Sequence, residues 1–124
     1  MKRGGVGLAG ALGFTAVAFG AFGAHGLRAR LSPAMLEVYR TGALYHLVHA
    51  VAALAVALAG DKLRRGRLIL TLFTAGIVVF AGSLYALAIT GITVLGAVTP
   101  LGGLLLLAAW ALVALEGVGP SGTS

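Results

Sequence analysis

The chain contains no cysteine, asparagine or glutamine, and only three of its 124 residues are acidic. Without cysteine there can be no disulfide, no thiolate nucleophile and no cysteine-held metal. The missing carboxamides suit a thermophile or a high-G+C genome. Glu37, Asp61 and Glu116 are widely separated, so no carboxylate pair is available for acid–base work. No phosphate loop or nucleophile–base–acid arrangement is present either, which argues against an enzyme. Proton-coupled exporters of similar size need a carboxylate within the hydrocarbon. Here all three acids fall in loops or at the end of an apolar run, and that disfavours such a mechanism.

Charge of either sign is scarce. The nine basic and three acidic residues leave uncharged gaps at 4–27, 41–60 and 68–115. Bilayer hydrocarbon about 30 Å thick excludes ions and takes about 20 apolar residues per helical crossing. The first two gaps are each one crossing long. The third, as a single helix at about 1.5 Å per residue, would reach about 72 Å, so it must turn back, and Gly91 to Pro100 (GITVLGAVTP) supplies the turn. With 60% hydrophobic residues and a mean hydropathy of +1.06, an ordinary polar shell cannot be built. The pattern predicts an all-α membrane protein: one domain of four transmembrane helices in an antiparallel bundle. The spans are about 5–24, 43–59, 68–89 and 100–115, with a tail at 117–124.

Met1-Lys2-Arg3 and the apolar run to Ala24 have some features of a signal peptide. The run exceeds the usual h-region, and its glycines and alanines are spaced for helix packing, so it is read as a retained first span. Lys2, Arg3, Lys62, Arg64, Arg65 and Arg67 flank one side of the bundle; Arg28, Arg30 and Arg40 flank the other. The side richer in basic residues faces the cytoplasm, which places both termini there. The six residues are accordingly assigned to topology and to anionic lipid headgroups rather than to nucleic acid.

Ser32 suits an N-cap, Pro33 the first helical position, and Leu31 with Leu36 a hydrophobic staple. Residues 33–42 therefore read as a short interfacial helix between spans one and two, with Gly42 as a bend. Thr99-Pro100 repeats the cap-then-proline pattern at the start of span four. In span one, Ala9, Gly13, Ala16, Gly20 and Ala24 recur at helical spacing. Such stripes let helices approach closely in lipid. They are read as internal packing, with a homo-oligomer face as the second reading. Trp110 and the phenylalanines are read as apolar bulk.

The side chains left to carry chemistry are His25, Tyr45, His46, His49, Ser83, Tyr85 and Thr99, all assigned to the outer half of the membrane. Ionisable residues inside a membrane are functional candidates because burying them unpaired is costly. His46 and His49 share a helical face, and with His25 they could ligate a metal; His25 and His49 alone could ligate haem. The competing reading bonds these imidazoles to tyrosine, serine or backbone carbonyls, and no cofactor is predicted.

Four stretches are distinctive together: Gly20-Ala21-Phe22-Gly23-Ala24-His25-Gly26-Leu27; Thr41-Gly42 through Tyr45 to His49-Ala50; Phe80-Ala81-Gly82-Ser83-Leu84-Tyr85-Ala86-Leu87; and Thr99-Pro100-Leu101-Gly102-Gly103 with Trp110. In this order, over essentially the whole chain, they resemble the family called domain of unknown function 423, whose animal relatives are named transmembrane protein 256. The resemblance implies a small multi-span protein, in bacteria one of the cytoplasmic membrane, with no established activity. His25, His49, Ser83, Tyr85, Thr99 and Pro100 fall on the family pattern. His46 falls where other polar residues are tolerated, which weakens a three-histidine metal site. The leading expectation is a non-enzymatic membrane protein acting by packing or partner binding. The alternative is a small transporter or a metal- or haem-binding protein using the outer polar cluster.

Overall fold

A computed structural model describes residues 2–118 of the protein. Four helices account for most of them: α1 (Lys2–His25), α2 (Pro33–Ala59), α3 (Gly66–Thr90) and α4 (Leu95–Glu116). One turn of 3-10 helix, Gly60–Lys62, joins α2 to α3, and there is no strand among the described residues. Each of the four is long and apolar enough to cross a membrane. In hydrocarbon a backbone must satisfy its own hydrogen bonds, and runs of Leu, Ala, Val and Gly without charge do so as helices. Of the tail expected at 117–124, residues 119–124 lie outside the described residues, as does the side chain of Lys2.

Two sequence expectations need correction. Residues 33–42 are not a separate interfacial helix but the first ten residues of α2, which is continuous over 27 residues. The Ser32 cap is real, its Oγ accepting from the Met35 N–H at 3.2 Å. Nothing after it interrupts the helix, because Gly42 serves packing and not bending. A Cβ there would stand 3.2 Å from both Leu84 Cβ and Tyr85 Cε1 of α3. The second correction concerns Pro100, which is the sixth residue of α4 and not its opening. The preceding turn is wound tightly by i→i−3 bonds, such as Gly96 N–H to Thr93 O at 3.0 Å. A proline this early deprives only the Gly96 carbonyl of its usual helical donor.

The helices pack in chain order: α1 on α2, α2 on α3, α3 on α4. The middle pair carries most of the buried surface, while α1 and α4 turn much of theirs outward. Large apolar side chains such as Phe14, Val17, Leu104 and Leu107 are exposed, as suits helices whose solvent is hydrocarbon. The stripe on α1 divides. Ala9 and Ala16 are buried at 3% exposure. Gly13 and Gly20 face open space, where a Cβ would meet nothing within 4 Å, and Ala24 is exposed.

The tightest seam lies between α3 and α4. A Cβ on Gly102 would fall on the backbone of Phe80, and one on Gly76 would overlap the side chain of Leu106. Where lipid is as apolar as leucine, such close approach is what drives helices together. Ser83 Oγ and Thr99 Oγ1 lie 2.6 Å apart across the same seam. Its two ends are closed. Gly91, at φ 71°, caps α3 in the left-handed conformation, its N–H donating to Leu87 O at 2.8 Å. At the other end the Glu116 carboxylate accepts from the backbone N–H groups of Arg64 at 3.0 Å and Arg65 at 2.8 Å. The last turn of α4 thereby caps the start of α3.

Neighbouring glycines test this seam. Gly102→Ala should destabilise the protein by about 1–3 kcal/mol through overpacking, seen as a lower melting temperature in detergent. Gly103→Ala, where a Cβ meets nothing within 4 Å, should leave melting unchanged or raise it.

Candidate functional site

The buried polar side chains of the spans form three internal clusters rather than one outer patch. In the first, α1, α2 and α3 meet at His46, which is 5% exposed. His46 Nδ1 lies 2.8 Å from the Tyr85 hydroxyl, and Nε2 lies 3.1 Å from Thr15 Oγ1. The Thr15 hydroxyl also lies 3.0 Å from the carbonyls of Ala11 and Leu12; when its one proton goes to either of them, its oxygen accepts from His46 Nε2–H. Nδ1 is then left to accept from Tyr85. Both ring nitrogens are thus engaged inside the bundle. Phe19 stacks on Tyr85 at 4.7 Å between ring centroids, and Tyr39 tilts against Tyr85 at 4.9 Å. Tyr39 is 1% exposed, with its hydroxyl donating to Phe19 O at 2.6 Å. Its ring occupies the space that Gly23 leaves without a side chain.

The second cluster joins α2 to α4. An indole N–H only donates, and Trp110 Nε1 gives its proton to His49 Nε2 at 3.0 Å. His49 Nδ1 must therefore carry the ring proton, which it donates to Tyr45 O at 2.7 Å. Here too both ring nitrogens are engaged, and the donor-only indole leaves Nε2 without a proton. Phe73, fully buried, meets Trp110 edge-on at 5.1 Å. The third cluster is the Ser83–Thr99 pair, with Ser83 also donating to Phe80 O at 3.0 Å.

The candidates separate accordingly. His46, Tyr85, His49, Ser83 and Thr99 are all held by partners. Tyr45 is 42% exposed, its ring lying 4.7 Å from Phe80 and 5.7 Å from His49. His25, the last residue of α1, is exposed and takes no part in the clusters. Among the described residues no three His, Asp or Glu side chains converge in a way that could hold a metal. Lys62, Arg64, Arg65 and Arg67 stand exposed around the turn into α3.

Depth also differs from the sequence reading. His46 is bonded to Thr15, the fourteenth of the 24 residues of α1, and His49 to Trp110 in the second half of α4. His46 and His49 therefore lie near the middle of the bundle, whereas His25 stands at the end of α1. The difference follows from α2 being one long helix, which sets these residues well inside it. Thr15, Tyr39 and Trp110 are the participants that the sequence reading missed. Thr15 could have been found as the single polar side chain between residues 4 and 24. Trp110 carries a donor that hydrocarbon cannot satisfy.

The fold and its clusters define a polytopic all-α membrane protein whose buried polar side chains, among the described residues, are satisfied internally. The family described as Protein of unknown function (DUF423) matches residues 19–103, and the chain belongs to it. The UPF0382 membrane protein YwdK of Bacillus subtilis is 44% identical over 106 residues, 83% of this chain and 86% of that protein. The UPF0382 membrane protein SSP2132 of Staphylococcus saprophyticus is 40% identical over 101 residues, 81% of this chain and 84% of its own. A UPF0382 membrane protein of Haemophilus influenzae is 43% identical over 99 residues, 79% and 80% respectively. No solved structure matches the chain.

The Trp110–His49 bond can be measured by a double-mutant cycle. Trp110→Phe leaves a buried acceptor unsatisfied and should cost about 1–3 kcal/mol in detergent. His49→Phe in the same chain removes that acceptor, so the double variant should be more stable than the sum of the single losses implies.

Proposed function

We propose that this protein is a non-enzymatic component of the bacterial cytoplasmic membrane, with both termini in the cytoplasm, that works by binding another transmembrane helix. The observation that carries this reading is the outward face of α1. Gly4, Gly7, Gly10 and Gly13 each have open space where a Cβ would stand. Gly10 and Gly13, with Phe14, Val17 and Ala18, line a shallow depression of about 550 Å³. Small residues on a lipid-facing helix allow a second backbone to approach closely enough for dispersion contacts to hold it. The internal satisfaction of both imidazoles supports the same reading over metal or haem ligation, since each nitrogen is already engaged.

The basic turn at 62–67 supports the orientation, through the bias of cytoplasmic loops toward lysine and arginine, and suits contact with anionic headgroups. The experiment reads a second copy and a different protein alike. Gly10→Leu with Gly13→Leu should leave melting unchanged and abolish cross-linking of a photoreactive residue at position 17, whether the product is a homodimer or a heterodimer. Undiminished cross-linking would remove α1 as the binding face. A periplasm-active reporter fused after Ser124 should be silent, and strong activity would reverse the orientation. Stoichiometric metal or a Soret band in the purified protein would restore the cofactor alternative.

A further inference from the structure

Residues of α2, α3 and α4, and none of α1, line a groove of about 610 Å³. Its wall includes Tyr45, His49, Phe80, Gly103, Leu106 and Trp110, a size and a largely apolar lining typical of small-molecule sites. We propose that this groove binds a neutral lipophile with a flat ring and a carbonyl acceptor, the chemistry of an isoprenoid quinone.

Four features select this chemistry. Leu44, Val48 and Leu107 of its lining are exposed on apolar spans, so a ligand would reach it from hydrocarbon. No charged residue lines it, and His49 is held neutral by Trp110 and Tyr45 O, so a charged ligand would enter without a counter-ion. Aromatic rings supply its walls, and flat rings pack best against such faces. Finally, one donor remains free. The indole N–H is spent on His49 and the imidazole N–H on Tyr45 O, whereas the Tyr45 hydroxyl has no partner among the described residues.

Tyr45 is the thirteenth of the 27 residues of α2. A phenol carried that far along an apolar span meets no acceptor in hydrocarbon, and leaving it unbonded there is costly. A ligand carbonyl would supply the acceptor. A second protein helix fits this groove less well than it fits α1. The mouth is rimmed by Leu44, Val48 and Leu107, and Gly103 is the one glycine in the lining. Such a rim holds a facing backbone away.

Trp110 is the chain's single tryptophan and sits in the groove, so its fluorescence reports occupancy. Titration of the detergent-purified protein with decylubiquinone should quench Trp110 saturably. Tyr45→Phe should weaken binding about five- to tenfold, the loss of one hydrogen bond, with unchanged melting because the hydroxyl holds nothing in the protein. Gly103→Leu should fill the groove and abolish saturation while the protein still melts cooperatively. Quenching that rises linearly in the unaltered protein, or saturates equally in Gly103→Leu, overturns the proposal. So does equal competition by hexadecane, which has no acceptor and would reduce the site to an acyl-chain groove. Because the chain has no cysteine, Gly103→Cys gives a clean further check. Efficient disulfide dimerisation of it in native membranes would assign the groove to a second copy instead.

Discussion

Hydrocarbon offers no hydrogen-bond partner, and each polar side chain buried within the bundle has to be met by another part of the same chain. In water the Trp110 indole, the Thr15 hydroxyl and the two buried imidazoles could have been left to solvent. In a bilayer they must find one another, because an unsatisfied donor or acceptor costs far more there than an ordinary hydrogen bond returns. The result among the described residues is complete: no buried side-chain nitrogen or oxygen is without a partner. These bonds also fix register. His46 can meet Thr15 and Tyr85 together only at one height of α2 between α1 and α3. His49 fixes the height of α4 in the same way through Trp110.

Bonds of this kind require close helices, and the small residues supply the closeness. Gly102 and Gly76 bring α3 and α4 together, and the Ser83–Thr99 bond spans the gap that remains. Gly23 makes room for the Tyr39 ring, whose hydroxyl reaches the Phe19 carbonyl. Apolar packing and polar satisfaction are therefore not separate contributions. The glycine at a seam sets the distance over which the neighbouring hydroxyl can work, and the hydroxyl selects one sliding position of an otherwise smooth contact.

The distribution of charge made the architecture legible, since few structures place uncharged stretches of such length anywhere but in a membrane. Pairing of the polar residues was less accessible. Nothing local marks His46 as the partner of Thr15, 31 residues away, or His49 as that of Trp110, 61 residues away. The helix boundaries were misread for a related reason. Gly42 and Pro100 carry breaker signals whose meaning depends on tertiary surroundings: the one is consumed by contact with α3, the other is tolerated behind a tightly wound first turn. Thr15 and Trp110 were visible as types, yet a polar group inside a span discloses a need for a partner and not which partner meets it.

Unequal helix length has its own consequence. At 27 residues, α2 is about 40 Å long, some 10 Å more than typical bilayer hydrocarbon. Its excess lies at the Pro33 end, where Glu37 and Arg40 stand exposed. Such a helix either tilts or stands proud of its neighbours, and a change in bilayer thickness moves the balance between the two. A thicker membrane would draw the charged first turns toward the hydrocarbon, while a thinner one would strand apolar surface above it. Since α2 bears on both α1 and α3, any tilt of α2 would be shared by the whole bundle, and the thickness of the surrounding membrane would then bear on every seam in it.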